Sequence, residues 1–145
     1  MEIAFSARDS VVTASVYSDN YEGSSDDFTD PTAVHLTFTK ADEVRVVAEL
    51  ARSTSIVQSN VDLGISSGWF HTHYVTDPAG WVSIQVPAFS IYVNDAARGE
   101  YATSSPSPGV TQIFEFTLEP TTPDPSSPTD TTWTIVRWVE SRSHI

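Results

Sequence analysis

Apolar residues in this chain recur at every second position, in short runs broken by turn-forming residues, and that period admits few folds. Val12, Ala14 and Val16 alternate with Val11, Thr13, Ser15 and Tyr17. Val34, Leu36 and Phe38 alternate with His35, Thr37 and Thr39, and Val44, Val46, Ala48 and Leu50 with Arg45, Val47 and Glu49. Further runs carry Val82, Ile84 and Val86, then Phe89, Ile91 and Val93, then Phe114, Phe116 and Leu118. The last, Trp133 to Val139, is apolar on both faces, with Trp133, Ile135 and Val139 on one and Val136 and Trp138 on the other. Strands of this kind bury one face and wet the other, as antiparallel sheets do. The predicted fold class is therefore all-β, an antiparallel β-sandwich of immunoglobulin-like or jelly-roll type, in a single domain over residues 1–145. Thr39 to Ser53 also fits helical spacing through Ala41, Val44, Ala48 and Ala51, but the β-branched residues at 44, 46 and 47 favour a strand.

Three segments read as loops. Ser18 to Asp30 is acidic and rich in glycine and serine, Asp95 to Gly109 is a long excursion, and Glu119 to Thr132 is proline-rich. Six of the nine prolines lie from Pro106 onward, so the loops at 95–109 and 119–132 are expected to be extended arms suited to lying along a neighbour.

Charge removes whole classes of function. The net charge is −12, and nucleic-acid binding needs a basic footprint that is missing here. Without cysteine there is no disulfide, thiol nucleophile or cysteine metal site. MEIAFSARDS has neither the basic start nor the apolar core of a signal peptide, and no apolar run is long enough to span a membrane.

DPTAVHLTF (Asp30 to Phe38) and SGWFHTHYVTDPAGWVSIQV (Ser67 to Val86) give this stretch its character. Asp77-Pro78 starts a turn, Gly80 supplies its positive φ, and Trp81 covers the hairpin end. Residues 30–86 resemble the small immunoglobulin-like domains of tailed-virus structural proteins, from phages or archaeal viruses. The resemblance implies a virion component (capsid decoration, neck or tail accessory) assembled in the host cytoplasm. Its partners would be viral structural proteins and copies of itself, and it would be neither an enzyme nor a cofactor carrier.

Several residues are candidates for chemistry or contact. His71 and His73 share a strand face and could offer two nitrogens to one metal, although a surface pair is the simpler reading. Asp19, Asp26 and Asp27 lie in an oxygen-rich segment that suits calcium in kind but lacks EF-hand spacing. Gly64 to Gly68 fits a Gly-x-Ser-x-Gly pattern in the wrong context for a nucleophile elbow. Trp69, Trp133 and Trp138, with Pro120, Pro123 and Pro125, are candidate interface anchors. Trp69, Trp81, Trp133 and Trp138 could instead form a sugar-stacking surface, which makes a carbohydrate-binding or adhesin-like module the alternative. None of the 19 carboxylates is marked by its neighbours as half of an acid–base pair.

Overall fold

A computed structural model describes residues 2–29, 32–64, 68–122 and 132–144. The chain opens with two short helices, α1 (Glu2–Ser6) and α2 (Ser10–Val16). Strand β1 (Tyr17–Asp27) is followed by β2 (Val34–Thr39), helix α3 (Lys40–Arg52) and β3 (Ile56–Asp62). The remainder is strand: β4 (Phe70–Thr72), β5 (Val82–Gln85), β6 (Phe89–Asp95), β7 (Gly99–Ser105), β8 (Val110–Thr122) and β9 (Thr132–His144). One six-stranded sheet runs β2-β1-β9-β8-β5-β4, and one three-stranded sheet runs β3-β6-β7. Pairing is antiparallel throughout except between β1 and β9, which are parallel.

This corrects the all-β sandwich: the architecture is α+β, with a helical layer against the sheets. Two expected strands are helices, and the backbone ends explain both. Asp9 caps α2, its Oδ1 accepting from the amides of Val11 and Val12 at 3.0 Å each. Thr39 and Asp42 form a reciprocal capping box on α3, with Thr39 Oγ1 accepting from the Asp42 amide at 3.3 Å and Asp42 Oδ2 from the Thr39 amide at 2.9 Å. Asp42 and Glu43 in the first turn and Arg52 in the last complement the helix dipole. These terminal contacts, with Val47 buried beneath the helix, outweigh the modest strand preference of Val44, Val46 and Val47. Replacing Thr39 by Ala should lower stability by about 1 kcal/mol in urea unfolding; no change would mean that packing alone holds α3.

The expected loops are corrected as well. Ser18 to Asp30 is mostly β1, an inner strand paired with β2 on one side and β9 on the other. Its polarity hid it, because its buried residues are Tyr17, Ser18, Tyr21 and Gly23, with no aliphatic side chain among them. Asp95 to Gly109 holds a tight turn and β7: Asp95 Oδ1 accepts from the Ala97 amide at 2.8 Å, and Gly99 takes φ +97°. Of the 119–132 segment, β8 extends through Pro120 to Thr122 and β9 begins at Thr132. The rest of it, residues 123–131, lies outside the described residues. The turn at Asp77 does form, with Trp81 N donating to Pro78 O at 3.2 Å and Gly80 at φ +91°.

A register shift also moves side chains between faces. Leu118 opposes Ile135 while Thr117 opposes Arg137, so Val136 is an extra residue on β9. This bulge puts Ile135 and Trp138 on one face, where strict alternation separates them. That face carries the core. Phe114 is 1% exposed, stacks on Phe89 (4.6 Å between centroids) and meets Phe116 and Trp138 edge-on (5.1 and 4.6 Å). Phe89 belongs to the small sheet and Phe114 to the large one, so this contact joins the two.

Candidate active site

Tyr17 and Tyr21 point from β1 towards the helices, and each is 4% exposed. Their rings meet edge-on with centroids 4.5 Å apart. Glu43, in the first turn of α3, faces them, and its Oε1 accepts a 2.8 Å hydrogen bond from the Tyr21 hydroxyl. Glu43 sits one turn from Val47, on the face that α3 turns inward.

Tyr17 and Glu43 line a hollow of about 60 Å³, whose apolar walls include Phe5, Val16, Val47, Val61, Ile91 and Trp138. A neighbouring hollow of about 170 Å³ shares Glu43, Val46 and Trp138 and adds Ser24, Ser25 and Phe38. A carboxyl group in such walls loses hydration. Burial pushes the Glu43 carboxyl above its usual range, the Tyr21 hydrogen bond opposes that shift, and the charge of Asp42 adds to it. Both phenols are pushed well up, chiefly by burial and then by the charge of Glu43, so each stays protonated. The arrangement offers one carboxyl whose charged form is disfavoured by burial, beside phenols that keep their protons.

The opposite face of the large sheet holds a second polar group, structural in character. Glu115 is 6% exposed, and its Oε2 accepts from the Tyr74 hydroxyl at 2.8 Å and from Gln85 Nε2 at 2.9 Å. Arg137 donates two bonds to Asp77, at 3.1 and 2.9 Å, and its guanidinium lies 5.7 Å from the centre of the Tyr74 ring. Ser83 and Thr117 share a buried 2.7 Å hydrogen bond beneath them. Together these contacts pin the Tyr74–Trp81 segment to the sheet. The Arg137 hydrogen bonds hold the Asp77 carboxyl below its usual range. The stability that Asp77 contributes is therefore complete above the unfolded value near 4 and is lost as the pH falls through the lower folded value. Arg137→Leu should cost about 2 kcal/mol at pH 7 and much less near pH 2 in urea unfolding. An equal cost at both would show that Arg137 acts through packing alone.

The residues singled out in the sequence are dispersed. His71 on β4 and His73 beyond it are exposed, and the His73 ring contacts the Trp81 carbonyl at 3.0 Å. Asp19 pairs with Lys40 at 2.7 Å, Asp26 with His35 at 2.6 Å, and Asp27 accepts from the Thr29 hydroxyl at 2.5 Å. Among the described residues no three His, Asp or Glu side chains converge to hold a metal ion. Trp69 packs against the core and donates to Leu63 O at 2.9 Å. Trp138 lies against the core between Phe114 and Phe116, whereas Trp133 is 43% exposed opposite Pro120. Pro123 and Pro125, and residues 65–67 of the Gly-x-Ser-x-Gly match, lie outside the described residues. Among the described residues no helix is long and apolar enough to cross a membrane.

The residues that do converge, Tyr17, Tyr21 and Glu43, were not singled out by the sequence. One signal was available: a glutamate set among the apolar positions of a capped helix.

No protein-family model matches the chain, and no curated protein matches it in sequence. Solved structures do resemble it. ActVI-ORFA from Streptomyces coelicolor superposes with a TM-score of 0.54 at 13% identity, over 99% of this chain and 90% of that one. AusH from Aspergillus nidulans gives 0.45 at 10% identity, over 97% and 76%. An NTF2-like protein with a cystatin-like fold from Novosphingobium aromaticivorans gives 0.43 at 10%, over 97% and 73%. The likeness to ActVI-ORFA is one of fold, and it overturns the immunoglobulin-like and jelly-roll assignments together with the viral structural vocabulary attached to them. The expectation that the chain is not an enzyme is corrected with it. That expectation came with the viral resemblance and with finding no marked acid–base pair, and this α+β fold sets Glu43 against Tyr21 beside an apolar hollow.

Proposed function

We propose that the chain is a small-molecule enzyme that moves a proton on an apolar ligand, with Glu43 as the acid–base group. The observation that carries this reading is the partly buried Tyr21–Glu43 hydrogen bond beside the apolar hollow. A carboxylate there is a stronger base than one in water, because burial penalises its charge. It takes a proton from the carbon next to a ligand carbonyl; the electron pair of that C–H bond forms a carbon–carbon double bond, and the carbonyl π pair moves onto oxygen, giving an enolate. Tyr17, whose phenol stays protonated, lines the same hollow. Returning the proton from Glu43 to that carbon completes an exchange, and returning it to oxygen completes an isomerisation to the enol. The apolar walls select an uncharged ligand and exclude bulk water, which strengthens each of these interactions.

The test is deuterium exchange at the α-carbon of small aryl ketones, followed by NMR in D2O with the full chain. Exchange above the buffer rate, with shifts centred on the methyl signals of Val16, Val46, Val47, Val61 and Ile91, is the expected result. Absence of both binding and exchange across the series would remove the reading.

A further inference from the structure

Gly23 sits two residues after Tyr21 on β1, so the two share a face of the strand. In the sheet it lies opposite Phe38 of β2 on one side and Trp138 of β9 on the other. Its backbone does not require glycine, since its φ lies outside the left-handed region that Gly64, Gly80, Gly99 and Gly109 occupy. Glycine inside a strand weakens it unless something else needs the space. Here something does. A Cβ at position 23 would run into the Tyr21 hydroxyl, and would stand 3.1 Å from Tyr21 Cζ and 3.3 Å from Phe38 Cβ. The phenol lies in the notch left by the missing side chain, between the flanking aromatic residues, and from there its hydroxyl reaches Glu43 Oε1 at 2.8 Å.

We propose that Gly23 is a positioning residue: the notch it leaves in β1 sets the Tyr21 hydroxyl on the Glu43 carboxyl. The role deepens the acid–base reading of that pair, yet it is a statement about geometry that stands or falls without a ligand. Any side chain at 23 lifts the ring and breaks or lengthens the bond to Glu43. Because that bond favours the charged carboxylate, losing it moves the Glu43 titration to higher pH.

The experiment uses the full chain with 13C-labelled glutamate and follows the Glu43 carboxyl by NMR across pH. Gly23→Ala should raise the Glu43 midpoint by about half a pH unit or more. Tyr21→Phe should raise it by a similar amount, and adding Gly23→Ala to Tyr21→Phe should move it no further. An unchanged midpoint in a folded Gly23→Ala protein, or a shift that adds to that of Tyr21→Phe, would overturn the proposal. Should Gly23→Ala alone fail to fold, the Gly23→Ala/Tyr21→Phe protein decides the matter. Removing the obstructing hydroxyl should restore folding, with a Tm near that of Tyr21→Phe. A double variant that stays unfolded where Tyr21→Phe folds would count against the notch. None of these readouts depends on turnover, so failure of the proton-transfer reading would leave this result separate.

Discussion

Glu43→Gln is expected to slow ligand proton exchange by about 10²- to 10⁴-fold and at the same time to make the protein more stable at neutral pH. The amide keeps the shape of the carboxyl, and its oxygen still accepts from the Tyr21 hydroxyl, so the hollow keeps its form. It cannot hold a transferable proton. The stability effect follows from the sign of the Glu43 shift. A carboxyl whose folded value lies above its unfolded one stabilises the fold fully below the unfolded value, and that contribution is lost as the pH rises through the folded value. Glutamine removes the loss. The Tm of the variant should match that of the native chain near pH 4 and exceed it at pH 8, by the equivalent of about 1 kcal/mol. Thermal unfolding across that range checks it. A Tm that falls below the native value as the pH rises would show that the charged carboxylate is a favourable part of the core. Retained exchange would mean that Glu43 is not the proton carrier.

Phe114→Ala should be the most damaging single change to the fold, costing about 4 kcal/mol in urea unfolding. Its ring is fully enclosed and touches Phe89 of the small sheet together with Phe116 and Trp138 of the large one. No other polar or apolar atom can refill that space without moving a strand, so the loss includes a residual cavity as well as the transfer energy of the ring. Against a total of about 5–15 kcal/mol, this is a large fraction of what holds a domain folded. Phe114→Leu keeps most of the volume and should cost about 1.5 kcal/mol. A cost under about 2 kcal/mol for the alanine would mean that the sheets close over the gap. Trp138 also borders the candidate site, so loosening Phe114 should blunt ligand binding as well.

The two-residue period was legible wherever a strand has one apolar face: the runs at Val34, Val82, Phe89, Phe114 and Trp133 all lie in strands. It misled at Val44 to Leu50, because valines at 44, 46 and 47 satisfy both a strand and a buried helix face. The signal that separates them was present upstream, in the threonine and aspartate of TKAD at 39–42, which only a helix uses in that way. Strand β1 was missed for the opposite reason. Its buried residues are two tyrosines, a serine and a glycine, and the rest are aspartates, serines, an asparagine and a glutamate, some paired with Lys40, His35 and Glu140, so hydropathy alone reads it as solvent. The site was illegible because its parts come from those two misread elements. Tyr21 looked like loop, and Glu43 stood unmarked just before the apolar run at Val44 to Leu50. The bulge at Val136 shows a further limit, since alternation cannot reveal where one residue is skipped.

The parallel seam between β1 and β9 brings Tyr17 beside Ile135 and Asp27 beside Arg142. More than a hundred residues of chain separate these neighbours, and every intervening element has left the ribosome before they can meet. Closing so long a loop is slow. The six-stranded sheet therefore cannot assemble in step with synthesis; β1 and α3 must wait, partly exposed, until β9 arrives to separate β1 from β8. Trp138 comes with β9, which means that the hollow beside Glu43 gains its last wall at the final stage of folding. A pulse of protease during translation should find β1 open until then, and the small β3-β6-β7 sheet closed well before.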